Sequence, residues 1–510
     1  MSEAPVHVRR RVSGRGARGG DTVHAPLRRL TNPWKPVEIF SEEQLQRLIG
    51  AAHELLSQFG MEIRSKAALD IFAKHGALVD YETQMVRLPK EVVTHFRAFA
   101  PQNFVLKARN RERDLHIGGN VLNFGPVGGA PNVADLTRGR RYGDLESFDE
   151  IIKINQALGV VHWQGGVVCE PVDVPVPIRH LAMNLSHIFN SDQVWQARGV
   201  GAVPVQDSLF MSAIEHGVSV EDLAREPTLM VITNVNSPRR VDEEILDGIM
   251  LMAQHGQAVC ITPFTLMGAM APVTLAGALT QQTAEALAII VLCQMIRPGA
   301  PCVMGGFTSN VDMRTGSPAF GTPENVHATL GGAQIARRLG LPYRSSAVTA
   351  SPAVDAQSTY ETGFSLWAAI MSHSNLITHA AGWLEGGLVN SYEKTVVDAE
   401  MLRGWADMLK PIEFSDDDIG LAAIGEIAPG GHFFGSPHTV ARYESAFYRP
   451  ILSDWSNFES WSEAGARDAT TRAQDVWKKA LAGFQPPLLD LSKREELEDY
   501  VARRSRDLSV

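Results

Sequence analysis

Seven side chains with the means to bind charge fall in or just past short apolar runs. They are the aromatics Phe124, Phe264, Phe307 and Trp383, the two arginines Arg198 and Arg344, and His379. An aromatic face attracts a cation, and a guanidinium or imidazole N–H donates to a carboxylate. Each also has a plain structural reading. The aromatics can be core or rim packing. Arg198 ends its run, where a lone positive charge is costly without a partner. Arg344 lies early in its run, so it can belong to a salt bridge at the other end of the fold. His379, within LITHAAGW, can be a hydrogen-bonded core histidine. Asp355, Gln357 and Glu361 follow another run and can wall a pocket or cap a helix, where acids are favoured by the dipole. Glu385, two positions past Trp383, can face the same site or pair with a surface base. Asp312 and Arg314 in VDMRTG can pair with each other. His432 and His438 lie six apart in PGGHFFGSPHT with no carboxylate or cysteine at ligand spacing, so no metal site is expected there.

The elements that must position these groups alternate. Eight runs read as buried strands: 121–125, 160–165, 193–199, 228–233, 258–264, 301–307, 343–348 and 376–381. They are short, apolar and without clean alternation, as strands covered on both faces are. Helical segments separate them: 147–158, 178–189, 205–216, 241–255, 280–296, 323–339 and 356–373. This is α/β, and the count and spacing predict a (β/α)8 TIM barrel over residues 121–390, with function in the loops after the strands. A doubly wound open sheet shows the same alternation, but no GxGxxG or P-loop follows the first strand. Residues 1–31, with HVRRRVSGRGARGG, read as a disordered basic arm. Residues 32–120 read as a helical N-terminal region with one short strand near 85–88, and 391–510 as a helical C-terminal one. Within the latter, helices are expected at 396–410, 415–427 and 468–482, before an exposed charged tail.

The 510 residues are 45% hydrophobic, enough for a large core, and carry a net charge of -10, which argues against nucleic-acid binding. No uninterrupted apolar run reaches membrane-spanning length, and no apolar core follows the basic start, so neither a membrane span nor a secretory signal is expected. The four cysteines, Cys169, Cys260, Cys293 and Cys302, are scattered without CxxC spacing. Buried thiols in a reducing cytoplasm are the plain reading. A soluble enzyme of this size is expected to be a homo-oligomer.

Five stretches carry a family resemblance: PNVADLTRGRRYGDLESFDE (131–150), MAPVTLAGALTQQTAEALA (270–288), VDMRTGSPAFGTPE (311–324), VDAQSTYE (354–361) and PGGHFFGSPHT (429–439). Together they resemble the cobalamin-dependent trimethylamine methyltransferase superfamily, which includes glycine-betaine methyltransferases. The resemblance implies a (β/α)8 barrel that moves a methyl group from a methylated amine to a separate corrinoid protein. Trimethylamine enzymes of that family carry pyrrolysine. This chain has only standard residues, so it resembles the branch that acts on quaternary amines. A quaternary ammonium ion loses methyl to cob(I)alamin and leaves as a neutral tertiary amine, whereas trimethylamine needs activation. The resemblance therefore implies no covalent nucleophile, no general acid, no metal and no resident cofactor, the corrinoid coming with its partner. Binding should fall to Phe124, Phe264, Phe307 and Trp383 around the cation and to Arg198, Arg344 and His379 around a carboxylate. Asp355, Gln357 and Glu385 should stand at the wall. The alternatives are another methylated substrate such as trimethylamine, or a protein that binds a quaternary amine without turnover.

Overall fold

The computed structural model describes residues 26–508. All eight expected strands are present: β1 (Val121–Phe124), β2 (Trp163–Gln164), β3 (Val194–Gln196), β4 (Leu229–Thr233), β5 (Ala258–Ile261), β6 (Cys302–Gly305), β7 (Tyr343–Ser346) and β8 (Leu376–Thr378). Each pairs in parallel with its successor from β2 onward, and β8 pairs in parallel with β1. The seam between β1 and β2 carries one backbone bond, His162 N–H to Phe124 O at 2.8 Å. A ninth strand, Leu30–Thr31, runs antiparallel to β1. The result is a curled nine-stranded α/β sheet with helices packed outside.

Those helices are α1 (Leu145–Leu158), α2 (Val176–Asn190), α3 (Ala202–His216), α4 (Glu243–Gln254), α5 (Leu275–Ile296), α6 (Pro323–Arg338) and α7 (Ala356–Met371). Successive strand residues face opposite sides. Met230, Cys260, Val303 and Leu376 point inward and pack with Leu106, Leu115 and Ile117 of an antiparallel hairpin. That hairpin fills the N-terminal end of the sheet. Leu229, Val231, Val259 and Ile261 point outward to the helices. With both faces apolar, the strands show no alternation in sequence, which is why they read as continuous runs.

Helix α5 is the one described helix long and apolar enough, by length and composition, to cross a membrane, although it is not an uninterrupted apolar run. It is 78% buried in the fold, and its buried Gln282, Glu285 and Gln294 interrupt the apolar run. An all-round apolar helix is also what a core position demands.

Four boundaries differ from the sequence reading. The arm expected over 1–31 ends sooner, because residues 26–31 are described and Leu30–Thr31 joins the sheet; residues 1–25 lie outside the described residues. The N-terminal region holds more strand than expected: the short strand read near 85–88 is present as Met85–Arg87, and Met61–Ile63 and Leu78–Asp80 join it in a small sheet. The helix expected at 415–427 breaks at Gly420, whose φ of 65° is left-handed. Beyond α8 (Tyr392–Met408) and α9 (Ala469–Ala482), the tail expected to be exposed is a docked helix, α10 (Leu491–Leu508). Leu497 is buried, and Tyr500 and Arg504 donate to Asp207 at 2.6 and 2.8 Å.

Candidate functional site

Past the C-terminal ends of β5, β6 and β8 the chain gathers four aromatic rings. Phe264 and Phe307 follow β5 and β6 with centroids 5.0 Å apart. Phe320 stacks on the other side of Phe307 at 5.3 Å. Trp383 stands edge-on to Phe307 and Phe320, at 6.1 and 6.2 Å. A three-stranded sheet holds this arrangement. Leu266–Met267 pairs with Ser309–Val311, which pairs with Pro318–Ala319, so Phe264 and Phe320 are brought to opposite sides of Phe307. Val127, Ala130 and Val348 complete the apolar cluster. The rings touch one another, so a ligand entering between them must part them.

The alternation of β7 sends Tyr343 out to the helices and Arg344 inward. Arg344 is 3% exposed and extends toward the aromatic end, with its guanidinium carbon 5.3 Å above the Phe307 ring. Its hydrogen bond to Gly306 O is long, 3.4 Å, and its Nε has no partner. No carboxylate among the described residues forms an ion pair with it. Burial lowers its pKa to about 10, since desolvation disfavours the charged form.

His379 lies between Arg344 and Trp383. Its ring centroid is 4.1 Å from that of Trp383. Gly128 N–H donates to Nδ1 at 3.2 Å, which places the imidazole hydrogen on Nε2. Nε2 faces Arg344 Nη2 at 3.1 Å. Two donors thus point at each other. A carboxylate oxygen accepting from both would relieve the conflict, and burial with the Arg344 charge holds the ring neutral. His379 has a φ of 60°, costly for a non-glycine residue, and such strain collects at binding sites.

Behind these groups lies a polar layer. Trp383 Nε1 donates to Thr349 O at 3.0 Å. Glu361 Oε2 accepts from Thr349 Oγ1 and from the Ala350 and Ser351 N–H groups at 2.5, 2.9 and 3.2 Å, fixing the loop after β7. Asp398, buried and paired with Lys394, accepts from Gly382 N–H at 2.9 Å, one residue before Trp383.

Of the residues singled out in the sequence, Phe264, Phe307, Arg344, His379 and Trp383 come together. The others do not. Phe124 points outward and packs against α1 with Ile151 and Ile152, since its parity in β1 is that of the helix face. Arg198 is bound to Glu170, which also holds Arg179, at 3.1 and 2.6 Å. Asp355 caps α7 in a reciprocal box with Ser358, and Gln357 donates to Glu361. Glu385 takes both carboxylate oxygens to Arg140 Nε at 3.1 Å. Arg344 does not join a salt bridge at the far end of the strands. Asp312 turns back on Arg314 N–H and Thr315 rather than on the Arg314 guanidinium. His438 meets Asp417 O and His432 meets Phe434, both far from the rings in sequence and in an exposed segment. Among the described residues no group of three or more His, Cys, Asp or Glu gathers as a metal site. Phe320 is the site residue the sequence reading missed, although it sits inside the quoted stretch 311–324.

The sequence matches the family described as trimethylamine methyltransferase (MTTB) over residues 7–509. A glycine betaine methyltransferase of Desulfitobacterium hafniense (strain Y51) is 34% identical over 471 residues, covering 92% of this chain and 98% of the relative. The trimethylamine methyltransferase MttB of D. hafniense (strain DSM 10664 / DCB-2) is 29% identical, covering 88% of this chain and 90% of its own. Among solved structures, the monomethylamine methyltransferase (MtmB) of Methanosarcina barkeri shares the mixed α/β fold. It aligns with a TM-score of 0.50 and 12% identity over 91% of this chain and 95% of its own.

Proposed function

The chain belongs to the trimethylamine methyltransferase family, and from that premise we propose that it demethylates a quaternary amine bearing a carboxylate, glycine betaine or a close relative, in favour of a corrinoid protein. The observation that carries the substrate class is Arg344, a buried guanidinium without a carboxylate partner that faces an N–H donor and an aromatic cluster. A betaine supplies what each part lacks. Its carboxylate accepts from Arg344 Nη2 and His379 Nε2. Its trimethylammonium head, which has no N–H to donate, lies among Phe264, Phe307, Phe320 and Trp383, at ~1–2 kcal/mol per ring.

The corrinoid, brought by its own protein, supplies the cobalt nucleophile that accepts the methyl group. This chain's residues bind, aim and dry the substrate. The carboxylate end is anchored at β7 and β8, so the ammonium end is directed to the open ends of the strands. The leaving amine is neutral, so no side chain need donate a proton, and the rate gain comes from orientation and exclusion of water. The seven parallel ladders and the hydrogen bond across the remaining seam support a (β/α)8 barrel as the scaffold. Four free, buried thiols accord with a cytoplasmic setting.

The direct test mixes the protein with cob(I)alamin and a panel of quaternary and tertiary amines and follows methylcobalamin by absorbance. Conversion is expected with glycine betaine or a relative and not with trimethylamine. Conversion of trimethylamine alone would sink the quaternary assignment, and tight betaine binding with no conversion would make the protein a sensor.

A pH series tests the carboxylate anchor. The Arg344 charge is required and its pKa lies at about 10. Betaine affinity is therefore expected to stay level through neutral pH and to fall as pH rises through that value. His379 is held neutral, so no step is expected near the ordinary histidine pKa of ~6.5. Calorimetric Kd values across pH decide the matter; a single step near the histidine value would move the anchor off Arg344.

A further inference from the structure

Between the end of α8 and residue 448 the chain leaves the body of the protein. It returns where Glu400 of α8 accepts from Ile451 N–H and Leu452 N–H at 2.7 and 2.8 Å and from Tyr448 Oη at 3.1 Å. In between, among the described residues, the hydrogen bonds and ion pairs of 411–447 stay within 411–449. His438 meets Asp417 O at 3.0 Å, Arg442 pairs with Asp417, and Ser415 and Ser436 cap short helices. None of these residues joins a hydrophobic core cluster, and only Ser436 is buried.

The segment is ordered by its own caps yet strongly apolar. Ile412, Phe414, Leu421, Phe434, Tyr443 and Phe447 are each 59–90% exposed. At ~150–250 Å² for a large side chain, these six alone present on the order of 900 Å². The largest apolar patch on a monomer is ~300–600 Å², and a stable interface takes ~800 Å² from each partner. We propose that residues 411–447 are an arm that seats on a second copy of this chain.

Two observations favour a second copy over the corrinoid protein. The arm springs from the last turns of α8, where Arg403 donates to Leu158 O, the end of α1 that leads into β2. That is the N-terminal end of the strands, opposite the aromatic cluster, while a methyl acceptor must reach the cluster and leave on each turnover. (This step alone leans on the methyl-transfer reading.) The chain also carries a second unpartnered stripe, Tyr360, Phe364 and Trp367 on α7, exposed at helical spacing where an outer helix should be polar. An arm that seats on a different surface of its copy needs two such surfaces on one chain, and both are present.

The test is sedimentation and mass photometry of the full chain at micromolar concentration, with no substrate. The wild type is expected to run as two or more copies of 55.6 kDa. A Phe434→Glu/Phe447→Glu protein is expected to self-associate at least ~100-fold more weakly while keeping a cooperative melt, because Phe434 meets only His432 of the arm itself and neither side chain joins a core cluster among the described residues. A wild type that runs as a single copy overturns the proposal, as does a variant whose assembly is unchanged. In case the variant misfolds, a photo-crosslinker in place of Phe434, in a mixture of light and heavy isotopic chains, gives an independent answer. Capture of peptides from another copy is expected; capture only within one chain, or of added corrinoid protein instead, overturns it.

Discussion

An Arg344→Met protein is expected to lose at least ~100-fold in kcat/KM for glycine betaine and, against the usual direction of core substitutions, to melt at a higher temperature. The loss follows because the substitution removes the Arg344 hydrogen bond and leaves the buried carboxylate without its counter-charge, at ~3–5 kcal/mol, the His379 bond remaining. The gain follows because the native guanidinium is desolvated, has no anionic partner and faces the Nε2–H of His379. Removing an uncompensated buried cation in favour of an apolar chain of similar length is expected to stabilise by ~1–2 kcal/mol. Arg344→Lys keeps the charge but not the fork, and should fall between the two in turnover. Denaturant titration and steady-state kinetics on the same preparations decide. Turnover that survives in Arg344→Met would take the carboxylate elsewhere, and a fall in stability would make the guanidinium structural.

The second large effect lies behind the rings. Asp398→Leu strands Lys394 in the core beside Thr362 and leaves Gly382 N–H without its acceptor. Breaking one side of a buried ion pair costs ~3–5 kcal/mol. Lys394→Met/Asp398→Leu removes both charges and should recover most of that stability. It should not recover turnover, because Gly382 N–H, which the carboxylate holds, leads directly into Trp383. A double variant no more stable than Asp398→Leu alone would show that the cost lies in packing rather than charge.

The eight strands and seven of the helices could be read in the sequence because strands covered on both faces and amphipathic helices leave different marks. The strands end earlier than their apolar runs suggest. Pro263–Phe264, Gly306–Phe307 and His379–Ala381 are apolar yet already belong to the loops, because the site itself is apolar. Position after a strand was enough to find Phe264, Phe307 and Trp383. It could not find Phe320, which returns to the site from a hairpin more than a dozen residues past β6. Parity would have corrected Phe124 and settled Arg344: counted from Leu122, Phe124 shares the helix face, and counted from Tyr343, Arg344 takes the inner one. The capping box at Asp355 and Ser358 was legible as a local signal. The Glu385–Arg140 pair was not, since it joins loops far apart in the chain.

The hydrogen bond from Gly128 to His379 spans 251 residues, and the ladder that aligns them joins β1 to β8. During synthesis β1 must therefore wait, its apolar edge unpaired, until nearly the whole sheet has emerged. Contacts this distant form slowly, and an unpaired edge invites aggregation meanwhile. Leu30–Thr31, already made when β1 appears, pairs with the other edge of β1, Leu30 opposite Leu122, so only the edge that waits for β8 stays open while the ribosome finishes its work. Protein lacking residues 26–31 should then lose soluble yield in cells by more than it loses melting temperature once purified.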